Sequence, residues 1–538
     1  MQFVKTQKHL PENEFCLDQV SERIVRWECS MPEIPIVNNE ISLFPFWVLA
    51  LSVFWVVISI AKWKLHPFLA LISAAIFVGL LSGPLPEKTI ENTGLFEKRV
   101  NLNETDANHS NLTLAVKWSL LGFGNTAGGI GLIIALAAIV GTCMMKSGAA
   151  ERIVRHLLAV FGEKRAGLVL LLSGFLLSIP VFFDTVFFLL IPLARAMAIR
   201  AGGRYLYFVM AMAGAGAITH SMVPPTPGPL MIATLLKIEF GNAMVAGLLV
   251  SLPLAALVLW VCRQFENKYS FPMRDIGGIK NSELEKTLSK NLSELPPLVF
   301  SYLPILLPVV LISLVSLLKL LEELGMNLGF LSATMDNGIF RILSFLGDPN
   351  IAMSIAALVS VLLLVNQEKK ASAAENEAGF SLSKTLESPL FTAGSIILIT
   401  GAGGAYGGMI RLSGVGEVIS HYASQLNLSY VLLAWGITAF IRIAQGSATV
   451  AMITGAGLMA TIIGDGSSLP YHPVYVFLAI GFGSITLSWM NDSGFWVVQK
   501  LSGFTEREML RTWSTLLTVI SVCGVIISLL GTIVLPLR

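Results

Sequence analysis

Four ionisable side chains stand inside stretches otherwise apolar enough for the interior of a bilayer: Asp184 in SIPVFFDTVFF (178–188), His220 in THSMVPPTPGP (219–229), Arg442 in IRIAQGSAT (441–449) and Asp492 in WMNDSGF (489–495). A charge at that depth is costly, so each marks a functional site with a partner to be named. Burial disfavours a carboxylate and a neighbouring arginine favours it, so a group balanced between the two can bind and release a proton. Asp184, His220 and Asp492 are therefore candidate proton-coupling residues, Asp184 first among them. The guanidinium of Arg442 can hold a carboxylate bidentately. Two readings of it stand: contact with a substrate carboxylate, or a standing salt bridge to Asp184. Asp184 also has the alternative of capping a helix, and Asn491-Asp492-Ser493 that of a plain helix end. Hydroxyls from Ser178, Thr185, Thr219, Ser447, Thr449 and Ser493, with the amides of Gln445 and Asn491, suit a polyhydroxylated or carboxylated small ligand. Serine and threonine in membrane helices often bond only their own backbone, so about half of these hydroxyls are expected to be bystanders.

Other chemistry finds no support. The cysteines at 16, 29, 143, 262 and 523 lack metal-ligand or CxxC spacing, and neither HExxH nor GxSxG occurs. No metal, cofactor or enzymatic nucleophile is expected. Cys16 and Cys29 can pair if the N-terminal tail lies outside.

Each of the four stretches interrupts an apolar helix with proline, glycine or small polar residues, turning helix ends towards a ligand. The chain that must hold them is a polytopic membrane protein: 54% of its 538 residues are hydrophobic and 13% charged, and its mean hydropathy is +0.74. With 36 basic against 34 acidic residues, nucleic acid is not an expected partner. Charge-poor runs at 44–62, 66–82, 127–146, 240–262, 299–320, 350–366 and 513–536 mark spanning helices. The basic turn AKWKLH (61–66) belongs in the cytoplasm. Residues 84–116 then form an external loop carrying sequons at Asn103, Asn108 and Asn111, while the polar loops 264–298 and 367–387 lie inside. Residues 1–43 read as a polar tail without signal-peptide flanks, and 44–83 and 299–366 as two scaffold helix pairs.

Within the candidate hairpin 166–197, the apolar segment 166–194 is too long for one span, and lysine or arginine flanks it on both sides at 164, 165, 195, 200 and 204. It reads as a re-entrant hairpin with its tip near Ser178–Pro180; a single broken span is the rival reading. Self-similarity places a second hairpin at 428–464. AIVGTCMMKSGAAERI (138–153) resembles GAYGGMIRLSGVGEVI (404–419) at an offset of 266, and GAGAITHS (214–221) resembles GFGSITLS (481–488) at 267. Between them the first hairpin aligns with the second at an offset of 262, pairing Thr185 with Ser447. The first copy, 117–263, starts outside and the second, 388–538, starts inside, so the two are inverted. The expected fold is thus an all-α polytopic membrane protein with inverted-topology repeats, two re-entrant helical hairpins and broken transmembrane helices. Secondary transporters are built this way, with substrate near the midplane between the interruptions.

The stretches SGAAERIVRHLL, LSGFLLSIPVFFDTVFFLLIPLARAM, AITHSMVPPTPGPL and QGSATVAMITGAGLM resemble the signature stretches of the GntP-type gluconate permeases, part of the wider ion transporter superfamily. The likeness covers about residues 117–263 and 388–538 and the hydropathy of the helices between. It implies proton-coupled uptake of gluconate or a related sugar acid, a homodimer of scaffold and transport domains in the plasma (inner) membrane, and hairpins that move in an elevator-like step. Sodium coupling, another small carboxylate such as a hexuronate or D-serine, and a transporter-like sensor are the alternatives. The tail 1–43 and the loop 84–116 depart from the usual family pattern.

Overall fold

The computed structural model describes residues 36–37, 40–41, 44–82, 85, 110–200, 203–269, 271–274, 294–323, 338–375, 381–413, 429–464, 466 and 469–537. The Cys16–Cys29 pairing and the sequons at Asn103 and Asn108 lie outside the described residues. Apart from a two-residue antiparallel ladder, Ile36–Val37 with Glu40–Ile41, the described chain is helical. In a bilayer a helix is the element that satisfies every backbone group from within itself.

The helices are α1 (Phe44–Ala61), α2 (Pro67–Leu81), α3 (Asn111–Lys146), α4 (Ala149–Phe161), α5 (Ala166–Leu177), α6 (Phe183–Arg200), α7 (Tyr205–Met222), α8 (Pro227–Leu235), α9 (Phe240–Lys268) and α10 (Leu298–Glu323). They continue as α11 (Gly338–Leu346), α12 (Pro349–Glu375), α13 (Leu382–Leu412), α14 (Tyr430–Gln445), α15 (Ala448–Ile463), α16 (Val474–Gly483) and α17 (Ser493–Ser502). The last run is α18 (Glu506–Met509), a π-helical turn over Leu510–Ser514 and α19 (Thr515–Val534). Seven helical runs among the described residues are long and apolar enough to cross a membrane. The chain is an integral multi-pass membrane protein.

Several helices overrun the apolar runs that announced them. The hydroxyl of Ser110 caps α3 by accepting from the Thr113 amide, so the helix starts inside the segment read as external loop. Likewise α12 runs to Glu375 and α13 starts at Leu382, leaving little of the loop expected at 367–387. Polar residues do not end a helix that has left the hydrocarbon; only caps and breakers do.

Both hairpins form. A methyl added at Gly455 on α15 would lie 2.3 Å from the Thr438 hydroxyl on α14, and the two residues are nearly equidistant from the Gly446–Ser447 turn. The helices of hairpin two therefore pack antiparallel. In hairpin one, Glu163 before α5 and Arg200 at the end of α6 form an ion pair at 2.9 Å, which brings both flanks to one end. Its tip meanwhile reaches Gly216 on α7. A single broken span would hold those flanks a membrane apart.

Leaving aside α4, whose aligned stretch lies outside the described residues, the elements of the two copies correspond: α3, α5–α6, α7–α8 and α9 against α13, α14–α15, α16–α17 and α18–α19. Their first helices cross antiparallel, as inverted copies must. Gly122 packs on Ala405 and Gly131 on Ile397, and a methyl at Gly122 would be 3.0 Å from the Ala405 Cα. Small residues permit that approach. Basic residues gather at one end of the molecule, at Lys62 and Lys64 in the α1–α2 turn, Lys146, Arg152, Lys164, Arg200, Lys268 and Lys384. The amphipathic α4 lies at that same end, with His156 hydrogen-bonded to Tyr302 of α10 at 3.2 Å.

Candidate functional site

The four interruptions converge. Hairpin two turns at Gly446, whose φ of +90° and closeness to Asn491 leave no room for a side chain: a methyl there would sit 2.2 Å from the Asn491 carbonyl oxygen. This turn presents the last turn of α14 to the break between α16 and α17. Carbonyls at a helix end lack helical donors; that of Ile443 accepts the Asn491 amide at 2.8 Å and the Trp489 indole at 3.0 Å. From the same turn, Arg442 Nη2 donates to Asp492 Oδ2 at 2.5 Å, with both side chains buried, and Nη1 donates to the Gly446 carbonyl. Asp492 also caps α17, accepting the Gly494 amide at 3.0 Å, and accepts the Ser488 hydroxyl. The partner of Arg442 is thus Asp492, and the reading that paired it with Asp184 is corrected.

Trp513 links this cluster to hairpin one. The π-helical turn directs its indole N–H to Ser488 Oγ at 2.8 Å, while Phe183, first residue of α6, stacks on its ring with centroids 5.8 Å apart. Ser178 and Phe183 both approach Gly216, and Phe182 meets the His220 ring edge-on at 6.5 Å. Asp184 lies in the first turn of α6, where the helix dipole favours a carboxylate. It is exposed, and Phe183 beside it stacks on Trp513, which is joined through Ser488 to Asp492. Thr185 is exposed beside it.

The break between α7 and α8 spans Val223–Thr226, so Thr219 and His220 belong to the last turns of α7 rather than to the interruption itself. Thr226 donates to the His220 carbonyl at 2.9 Å, and Gly228 packs on Met452 of α15. The broken helix thereby touches both hairpins. The second helix of every interrupted pair, α6, α8, α15 and α17, begins here, and α8 carries no side-chain cap.

The expected hydroxyls divide. Thr219 donates to the Ala215 carbonyl of its own helix at 3.1 Å, and Ser447 caps α15 by accepting the Val450 amide at 3.3 Å. Thr449 is half-buried in the first turn of α15, and Ser493 is exposed at the start of α17. Five buried polar atoms at the convergence have no partner among the described residues: Ser178 Oγ, His220 Nδ1, Arg442 Nε, Gln445 Oε1 and Asn491 Oδ1. Buried polar atoms are rarely left unpaired, so these are open valences for a ligand, ion or water. No group of three His, Cys, Asp or Glu able to hold a metal occurs among the described residues. Reading the sequence missed Ser488, Trp489 and Trp513. The only signal was the run SWMND together with TWS, which looks like ordinary interfacial tryptophan.

Residues 112–534 match the family profile described as GntP family permease. The chain is 33% identical over 489 residues to a gluconate permease of Pseudomonas aeruginosa, covering 90% of this chain and 96% of that one. It is 29% identical to the high-affinity gluconate transporter of Escherichia coli K12, over 90% and 98% of the two chains. The Gnt-II system L-idonate transporter of the same organism is also 29% identical, over 75% and 86%. In fold the chain is similar to MtrF of Neisseria gonorrhoeae, with a TM-score of 0.56 at 15% identity, covering 88% of this chain and 96% of that chain.

Proposed function

The chain belongs to the GntP permease family, and on that premise we propose that it imports gluconate or a closely related sugar-acid anion across the plasma membrane by proton symport. The observation that carries the coupling is the charge of the site: Asp492 and, through Phe183, Trp513 and Ser488, Asp184 against the guanidinium of Arg442. With both carboxylates ionised the cluster is net negative and repels a monoanion. Asp492 is engaged by Arg442, Ser488 and the α17 amide, whereas Asp184 is exposed with no hydrogen bond among the described residues. A proton on Asp184 neutralises the cluster and admits the anion, so one proton accompanies one monoanion. The substrate then lies where the four interruptions converge, with its hydroxyls towards Ser178, Gln445 and Asn491. Arg442 fixes Asp492 and the hairpin turn, a positioning role, and His220 stays a secondary proton-site candidate.

An elevator-type movement is supported by an asymmetry between the copies. Gly141 on α3 meets Val181 at the tip of hairpin one, whereas its counterpart Gly407 on α13 meets Gly457, well up the second helix of hairpin two. Equivalent helices thus hold their hairpins at different depths, and exchanging the two arrangements carries both hairpins across the membrane. A homodimer is expected from the family resemblance. Sodium coupling is the second reading, favoured by the free carbonyl oxygens of Gln445 and Asn491.

Uptake of labelled D-gluconate into proteoliposomes under an inward proton gradient tests this. Accumulation abolished by an uncoupler and indifferent to sodium is expected. Accumulation that requires sodium and survives the uncoupler overturns the coupling, and none at all in folded protein overturns the substrate.

A further inference from the structure

We propose that the cavity beside the hairpin-one tip is a second, receiving site for the substrate's carboxylate and hydroxyls on the cytoplasmic side, with Lys146 as its anion-binding residue. The proposal rests on the transport reading above. The cavity, of about 250 Å³, lies between the C-terminal turns of α3, the hairpin-one tip and the N-terminal turns of α13. It is separate from the Arg442–Asp492 pair, neither of which lines it.

Its walls come from both repeats. Thr385, Ser388 and Thr392 fall at i, i+3 and i+7, hence on one face of α13, and Thr142 and Lys146 one turn apart on α3 face the same space. Thr185 supplies the third wall from hairpin one. Pro389 has no N–H to give, which leaves the Thr385 carbonyl without its helical donor and free to accept from a ligand hydroxyl. Thr392 donates to the Ser388 carbonyl at 3.2 Å but keeps its acceptor lone pairs. Among the described residues Lys146 forms no ion pair, and no carboxylate lines the cavity.

One ammonium, several hydroxyls and one free carbonyl fit a single carboxylate on a short hydroxylated chain. They do not fit a doubly charged phosphoryl group, which calls for more than one cation. The start of α13 adds its own partial positive charge. Lys146 stands at the basic end of the molecule with Arg152, Lys164 and Arg200, the end expected in the cytoplasm. When Asp184 gives up its proton on that side, the cluster regains its negative charge and expels the anion, and this cavity offers the expelled carboxylate a cation.

Equilibrium exchange of labelled D-gluconate in right-side-out and inside-out vesicles separates the two faces. Lys146→Gln is expected to raise the KM at the cytoplasmic face roughly tenfold, and the external KM much less, with Lys146→Arg restoring it. Thr392→Val should raise the cytoplasmic KM a few-fold with the same sidedness. Unchanged cytoplasmic KM in Lys146→Gln, or an equal rise at both faces, overturns the receiving site while leaving transport intact. Wild-type vesicles that exchange nothing at either face overturn the transport reading instead, and this inference with it.

Discussion

At the scale of single residues, the consequential pair is Arg442 with Asp492. Removing one member of a buried ion pair strands the other, which costs about 3–5 kcal/mol, whereas removing both is far less damaging. Arg442→Met should therefore lower the thermal unfolding temperature in detergent sharply, and adding Asp492→Asn should recover much of the loss. If the double variant is no more stable than the single one, the pairing is not what holds the hairpin turn. Asp184 makes a different demand. Asp184→Asn removes the titrating group without changing its shape, so proton-driven accumulation should vanish while exchange of labelled for unlabelled gluconate persists. The sequence announced both aspartates and the arginine, because an ion in an apolar run stands out. Their pairing was not legible, since Asp492 meets Arg442 only through the fold of a break fifty residues away.

At the scale of elements, flanking charge and repeated sequence were enough to find both hairpins, including the ion-paired flanks of the first. Helix ends were less legible. His220 sits in a motif full of prolines, yet α7 continues through it because the chain-breaking effect starts only after Met222. The cavity was invisible in advance for a similar reason: threonine and serine in helical turns carry no signal until two distant helices face each other. The proposed motion can be tested at this level. A methyl at Gly141 would lie 3.4 Å from Val181, within disulfide reach, and the same holds at 3.5 Å for Gly131 and Ile397. With the native cysteines replaced by alanine, oxidising Gly141→Cys/Val181→Cys should arrest turnover and a reductant should restore it. The Gly131→Cys/Ile397→Cys bridge joins α3 to α13, the two helices against which the hairpins are proposed to move, and should leave transport running. Arrest by both bridges would argue that oxidation, not tethering, stops the protein.

At the scale of the whole molecule, the sidedness assigned to every step depends on which end faces the cytoplasm. Lys64, in the α1–α2 turn, and Lys237, between α8 and α9, are both exposed and lie at opposite ends. In the cysteine-free background, Lys64→Cys should react with an impermeant maleimide only in inside-out vesicles, and Lys237→Cys only in right-side-out ones. The reverse pattern would turn the importer reading around.

The unequal depth of the hairpins has one more consequence. Residues related by the repeat offsets describe, in one copy, neighbours that the other copy has yet to acquire. Mapping Val181 forward by 262 positions gives Ile443, so in the opposite state Gly407 is expected to leave Gly457 and meet Ile443. A single chain caught in one posture therefore already specifies, residue by residue, the contacts of the posture it has left.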